Sequence, residues 1–425
     1  MNLRPFYLLM LTQTFSLIGS RMTSIAIGIR VTVDTGQASP LLLVSFFNEL
    51  PMMLFGSAAG VLVDRWPRRR VMVLADAGQA FGSALLLLSF TSGAFQLWHL
   101  YAIVLFQGTC AMFQGPAQDV VTTLLVPDAS RDRANALRQM SFPLAGVIAP
   151  ALTGLLYPLV QMGGIIAIDM ITFVAAVMVV MRMTIPQPPR SEAGQQASGG
   201  FWRELRGGLA YLTARRPLLW LILYFATINF LLNGPLDLTI PYLIRVTGDE
   251  TLTGLVLAVM NAGALAGGAA IALRHGRRRM SIILPTFVMT GIMFLAYGTS
   301  RTPLPLAFSL FCLMFTLPLA WGLFTSLIQV KTPPDMQGRV FSVFGQLSNL
   351  ASTSSFLLTG LLIDHVIEPA AQKPDWAFAA ITGTGPGAGI SLVLLAVGVI
   401  ILALTALMLA IPRIRQVEMI LPDYE

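Results

Sequence analysis

TIPQPPRSEAGQQASGGFWRELRGGLAYLTARR, residues 184–216, is the one long polar stretch of this 425-residue chain. Its first half, rich in Pro, Gly, Ser and Gln, reads as a linker. Its second half reads as a short amphipathic helix on a membrane surface, with Phe201, Trp202, Leu205, Leu209 and Leu212 toward lipid. On either side the chain is almost unbroken apolar sequence. A helix crossing a bilayer core needs about 20 mostly apolar residues. Six runs before the linker qualify: 6–32, 40–62, 71–91, 98–125, 138–160 and 162–183. Six after it do the same: 217–244, 252–273, 280–299, 304–330, 339–363 and 389–411. An open sheet edge does not survive in lipid, so runs of this length predict helices rather than a barrel. The first is too long for a signal peptide and is followed by no small-residue cleavage site, so it reads as an anchor.

Composition agrees. Hydrophobic residues make up 55% of the chain and charged residues 11%, against roughly 25% charged in an ordinary soluble domain. Mean hydropathy is +0.74. Those figures exclude a soluble enzyme and a disordered chain. Cys110 and Cys312 both sit in apolar runs, which excludes a disulfide framework and a cysteine metal site. The net charge of +7 is explained by placement. With the N-terminus inside, 22 of the 27 basic residues fall on cytoplasmic segments. Only Arg30, Arg245, Arg301 and Lys373 lie near the outer side, and Arg21 is within a span. The positive-inside rule then puts both termini in the cytoplasm, and the basic charge reports topology rather than a nucleic-acid partner.

The expected organisation is a six-helix bundle over 1–183, a cytoplasmic linker with its surface helix over 184–216, a second six-helix bundle over 217–411 and a cytoplasmic tail over 412–425. The bundles look like a duplication. Pro127, Arg133 and Thr153-Gly-Leu-Leu156 recur as Pro333, Arg339 and Thr359-Gly-Leu-Leu362, each at an offset of 206. Arg68–Arg70 recurs as Arg277–Arg279. Repeated bundles are a transporter arrangement, with cargo held at mid-membrane between them.

Between the second and third runs stands Gly60-Val-Leu-Val-Asp64-Arg65-Trp-Pro-Arg68-Arg69-Arg70. Gly60 permits close helix approach, and Asp64 ends a helix where it can accept hydrogen bonds from an arginine or a facing helix N-terminus. This loop resembles the G-x-x-x-D-R-x-x-R-R loop of the major facilitator superfamily, in the position that family gives it. The resemblance covers the whole chain. It implies twelve transmembrane helices and an inner gate made by Gly60, Asp64, Arg65, Arg68, Arg69 and Asp119, with Gly338 and Arg339 docked against them. The strings SLIGSRMTSIAIGI, ADAGQA, RDRANAL, IIAIDMITF and GRVFSVFGQLSNLAS resemble the drug-exporting branch that includes macrolide efflux proteins and enterobactin-type siderophore exporters. Ala145, Ala149, Pro150 and Gly154 are similar to the antiporter motif of helix 5, with alanines at glycine positions. Val104, three residues before Gln107-Gly108, stands where proton antiporters of this branch often carry an arginine.

A charged side chain at the bilayer centre costs roughly 3 kcal/mol, so each needs a partner or a wet cavity. Arg21 and Glu49 lie at similar depth on consecutive spans and are expected to pair, either as a proton-sensitive coupling site or as a static tie. Asp237 follows Asn229, Asn233, Gly234 and Pro235 in a span that Pro241 also interrupts; it is the third candidate for proton coupling. Asp76 and Asp169 read as structural hydrogen-bonding groups. Gln13, Gln107, Gln114, Asn229, Asn233, Gln346 and Asn349 are the polar groups expected to face a mostly apolar substrate cavity.

These readings converge on a monomeric secondary transporter of the plasma membrane, working by alternating access in exchange for protons. Its partners are an amphipathic small molecule, protons and membrane lipids. No cofactor, metal or nucleic acid is expected. The absence of G-x-x-x-x-G-K-[ST] excludes direct ATP drive within this chain. A lysolipid or siderophore cargo is the nearer alternative and a membrane-embedded enzyme the remote one.

Overall fold

The computed structural model describes residues 3–93, 95–126, 131–183, 201–273, 279–373 and 375–424. Its long helices are α1 (Arg4–Thr35), α2 (Ser39–Arg65), α3 (Arg68–Thr91), α4 (Leu97–Leu125) and α5 (Arg131–Arg182). After the linker come α6 (Phe201–Ala214), α7 (Arg216–Asp237), α8 (Thr239–Thr247), α9 (Glu250–Ala272), α10 (Met280–Thr299), α11 (Pro303–Lys331), α12 (Pro334–Leu362) and α13 (Ala388–Ala410). A π turn at Ile363–Ile367 and several four-residue helical turns join or follow α12 and α13.

The twelve expected spans fit these helices. α5 carries two of them, split at Gln161, whose φ of 55° and ψ of −173° break the helix. α7 and α8 together form the seventh, interrupted at Leu238. Among the described residues, nine stretches are long and apolar enough to cross a membrane, and Met140–Arg182 holds two spans. Large apolar side chains such as Leu304, Leu273 and Leu159 are more than three-quarters exposed. A lipid solvent accepts such a surface, and water would not.

Two compact units are present: residues 1–195 with 249–258, and residues 196–248 with 259–425. At one end of the first, Phe6, Leu9, Met10, Val63, Met72, Val121 and Val180 close a core shared by α1 to α5. In the second, Phe225 of α7 stacks on Phe324 of α11 at 3.5 Å between ring centroids, with Phe287 of α10 edge-on to Phe225. Tyr224 reaches Thr405 of α13 at 2.7 Å, and Thr290 reaches Thr316 at the same distance. Such ties recur between apolar helices because a buried hydroxyl must find a partner in hydrocarbon.

The helix over 201–214 differs from expectation in one contact. Leu212 is buried rather than turned to lipid, while Leu209 is exposed. Gly207 and Gly208 explain it, since they bring the α6 backbone against Arg339 and Val343 of α12, where a Cβ at Gly208 would not fit. The side chains of Phe201, Trp202 and Leu205 lie outside the described residues.

Candidate functional site

Within the second unit, α7, α11 and α12 enclose a cavity of about 410 Å³. It is lined by Asn229, Asn233, Trp321, Thr325, Phe341, Phe344, Gly345, Ser348, Asn349 and Ser352. The volume falls within the range of small-molecule sites, roughly 300–1,000 Å³. Its walls are aromatic and amide-bearing, and none of the lining side chains is charged.

The sequence of α7 shapes one wall. Pro235 has no N–H to give its helix. At the residue before it a hydroxyl from α12 meets the helix backbone: Gly234 N–H donates to Ser355 Oγ at 2.8 Å, and Ser355 Oγ–H donates to Phe230 O. The Ser355 hydroxyl thus bridges residues 234 and 230, and a side chain set against the helix ladder is a recognised cause of bending. Gly234 has no side chain to keep Ser355 and Thr359 away. Just before Gly234, Asn233 Nδ2 donates to Asn229 O at 2.7 Å and Asn229 Nδ2 to Phe225 O at 3.1 Å. These bonds hold both amides at fixed rotamers on the cavity wall.

Three of the expected cavity residues, Asn229, Asn233 and Asn349, therefore come together, and Gln346 does not line this cavity. Trp321, Phe344, Ser348 and Ser352 were not foreseen. Spacing along α12 carries a signal: 341, 345, 348 and 352 follow one another at three or four residues and share one face of the helix.

In the first unit the expected cavity glutamines are bonded inward instead. Gln13 of α1 donates to Asp76 Oδ2 at 2.9 Å, and Gln114 of α4 donates to Asp76 Oδ1. Gln114 also donates to Gln13 Oε1 at 3.0 Å and accepts from Gln79 at 2.6 Å. Gln107 donates to Gln79 O at 3.0 Å and to Ser83 Oγ at 3.2 Å. Ser83 in turn donates to Asp169 Oδ2 at 2.8 Å, and Ser20 donates to Asp169 Oδ1 at 3.1 Å. Asp76 and Asp169 are buried, so their oxygens need donors, and the glutamines supply them.

Arg21 and Glu49 do not pair. The Arg21 guanidinium sits 4.2 Å from the ring centroid of Phe142 on α5, a cation–π contact. Glu49 accepts a weak 3.5 Å bond from its neighbour Asn48. α1 packs along α5 rather than along α2, which separates the two side chains. Asp237 ends α7 and is not a lining residue of the cavity.

Of the gate residues, the side chains of Asp64, Arg65 and Asp119 lie outside the described residues, and Gly60 stands in the last turns of α2. Arg68 donates to Trp66 O at 2.8 Å and to Val63 O, capping the end of α2. Arg69 donates to Val180 O at 3.3 Å and to Met181 O, tying the start of α3 to the end of α5. Gly338 and Arg339 are exposed near the start of α12, with Arg339 Nη1 3.7 Å from Met336 Sδ. Ala145 and Ala149 are fully buried in α5. After Pro150, Gly154 meets Gly254 of α9 so closely that a Cβ on Gly154 would lie 3.0 Å from Gly254 Cα.

A family model described as the Major Facilitator Superfamily matches residues 9–356. Macrolide efflux protein A of Streptococcus pyogenes is 29% identical over 367 residues, spanning 85% of this chain and 90% of that protein. The multidrug efflux pump Tap of Mycolicibacterium fortuitum is 24% identical over 383 residues, or 85% of this chain and 89% of that pump. Among solved structures, the nucleoside transporter NupG matches 95% of this chain and 99% of its own with a TM-score of 0.74. Sequence identity to it is 14%, so that likeness speaks to fold alone.

Proposed function

The chain belongs to the major facilitator superfamily, and from that premise we propose that it exports amphipathic or hydrophobic small molecules of drug or macrolide type, by alternating access in exchange for protons. It is a multi-pass membrane transporter rather than an enzyme, which in a bacterium resides in the plasma membrane. The observation that carries the cargo class is the cavity of α7, α11 and α12. Trp321, Phe341 and Phe344 offer ring faces to an apolar body, while Asn229, Asn233 and Asn349 offer neutral donors and acceptors. A sugar or a multiply charged metabolite would find too few polar partners there. The export direction is supported by likeness to the two efflux proteins, the twelve-span layout supports alternating access, and the proton as driving ion is the part of the reading that the gradient test addresses.

The test uses inside-out vesicles loaded with this protein. Uptake of a fluorescent dye and of a macrolide is followed with and without an inward-acidic pH gradient. Gradient-accelerated uptake of either compound is the expected result. Phe344→Ala should weaken transport of the bulkier compound more, because it removes ring area from one wall. Glu49→Gln is measured alongside, and loss of gradient drive in it assigns coupling to that half-buried acid of α2. If neither compound moves under any gradient, the drug reading fails and a lysolipid or siderophore becomes the cargo to test.

A further inference from the structure

Asp76 is fully buried at the meeting of α1, α3 and α4, and its two carboxyl oxygens accept from two side-chain amides on different helices. Its two hydrogen-bond partners are neutral amides, and the charged or titratable groups of the surrounding helices are engaged elsewhere. On α1, Arg21 is turned to Phe142, and Arg30 pairs with Asp34 at 2.6 Å. On α4, the Cys110 thiol lies against Gly78, and His99 contacts Ser89. On α5, Asp169 is held by Ser20 and Ser83. Arg69 of α3 is spent on backbone carbonyls and Glu49 of α2 sits beside Asn48. Among the described residues no cation pairs with Asp76. The side chains of Asp64, Arg65, Asp119, Arg131, Asp132, Arg133 and Arg138 are outside that set.

Resting on the reading of proton antiport above, we propose that Asp76 is the carboxyl on which the exchanged proton is carried, and that Gln13 and Gln114 convey its protonation state to α1 and α4. The argument is one of hydrogen-bond polarity. As a carboxylate, Asp76 accepts from Gln13 Nε2 and Gln114 Nε2, and these donors offset the cost of a lone charge in hydrocarbon. As a carboxylic acid, it carries an O–H that must donate, and an amide N–H opposite cannot accept it. Gln114 then has to turn its amide over to present Oε1. That turn withdraws Oε1 from Gln79 Nε2, now at 2.6 Å, and Nε2 from Gln13 Oε1, now at 3.0 Å. One proton thus rearranges three amides on three helices. The balance is simple: a proton joins Asp76 from one side of the membrane, and the same O–H bond breaks to release it on the other.

Linkage makes the effect reciprocal. Any state that moves α1 or α4 away from Asp76 changes its affinity for the proton, and the proton biases that state by the same free energy. Asp169 serves differently. Its oxygens accept from serine hydroxyls, which swivel in place when it is protonated and leave the neighbouring helices undisturbed.

The experiment compares wild type, Asp76→Asn, Asp169→Asn and Glu49→Gln in inside-out vesicles by two assays. One is dye uptake with and without an inward-acidic gradient. The other is equilibrium exchange of labelled for unlabelled dye at uniform pH, which needs binding and alternation but no net proton movement. Asp76→Asn is expected to keep exchange while losing the gradient-dependent part of uptake. Asp169→Asn is expected to keep both. Gln13→Ala, which leaves the acid in place but deletes one donor, is expected to move the pH profile of wild-type exchange toward alkaline values. Gradient drive retained in Asp76→Asn overturns the proposal, as does drive lost in Glu49→Gln but kept in Asp76→Asn. Exchange lost in Asp76→Asn with an unshifted profile in Gln13→Ala also overturns it, in favour of a purely structural acid. A wild type that carries dye with no gradient response refutes proton antiport itself, and with it the role of Asp76, before any variant is compared.

Discussion

The carboxylate of Glu368 accepts from Arg245 Nη1 at 3.1 Å and from Gly387 N–H at 2.8 Å through one oxygen, and from Gly389 N–H at 3.1 Å through the other. Both side chains are about nine-tenths buried. One charge therefore fixes the turn before α13 to the end of α8, and Gly389 leaves room for it, since a Cβ there would meet the carboxylate. Removing one member of a buried pair strands the other, which costs about 3 kcal/mol or more. Glu368→Ala is expected to lower the thermal unfolding midpoint in detergent markedly, and a midpoint within a degree of wild type would refute the assignment. Gln161 presents the opposite case, a residue under strain. With φ at 55° and ψ at −173° it occupies backbone space that is essentially glycine's. Gln161→Gly should stabilise the protein by about 1 kcal/mol, read by the same unfolding assay. A loss of stability would mean that the Gln161 side-chain bond to Pro158 O outweighs the strain.

At the scale of elements, the end of the chain is clasped to the second unit. Lys331, buried as the last residue of α11, donates to Glu418 O at 2.5 Å, Leu421 O at 2.6 Å and Asp423 Oδ1 at 2.5 Å. Glu418 answers by accepting from Arg279 N–H at 2.7 Å and Met280 N–H at 3.3 Å, which caps the start of α10. Orphaned groups at helix ends are thereby satisfied by a tail for which the sequence offered only the expectation of a cytoplasmic location. Lys331→Met would leave carbonyls buried without a donor, at about 2 kcal/mol. Limited proteolysis should then cut residues 412–425 faster than in wild type; equal rates would show that the clasp is dispensable. The broken seventh span was legible, because Pro235 and Pro241 lack an N–H for the helix ladder and Gly234 weakens it. The Ser355 hydroxyl that bridges Gly234 and Phe230 was not, since which helix supplies a partner is a matter of packing. The same holds for Gln13, Gln107 and Gln114. Sequence marked them as polar groups facing the substrate cavity, and only the packing, which sets Asp76, Gln79 and Ser83 of α3 beside them, turns them inward as hydrogen-bond donors.

At the scale of the whole molecule, the number of spans follows from composition, since a bilayer admits few ways of hiding a backbone. Orientation has a different physical source, the bias of basic residues, and it belongs to the chain as a unit. By the count of spans, Arg65, Arg68, Arg69 and Arg70, the six arginines from 182 to 216, and Arg274 to Arg279 are expected on one side of the membrane, and Arg30, Arg245, Arg301 and Lys373 on the other. Insertion with the opposite orientation would carry most of the positive charge outward, against the rule that governs short loops. The expectation is therefore that the linker faces the cytoplasm and the segment between α12 and α13 faces outside. With Cys110 and Cys312 replaced by alanine, a single cysteine is introduced as Gln195→Cys or as Lys373→Cys. A membrane-impermeant maleimide applied to intact cells should label the second and spare the first, with both labelled after the membrane is permeabilised. Labelling of the first alone in intact cells would invert the topology. Export would then become import for the same cavity, and the proton drive would need the opposite gradient.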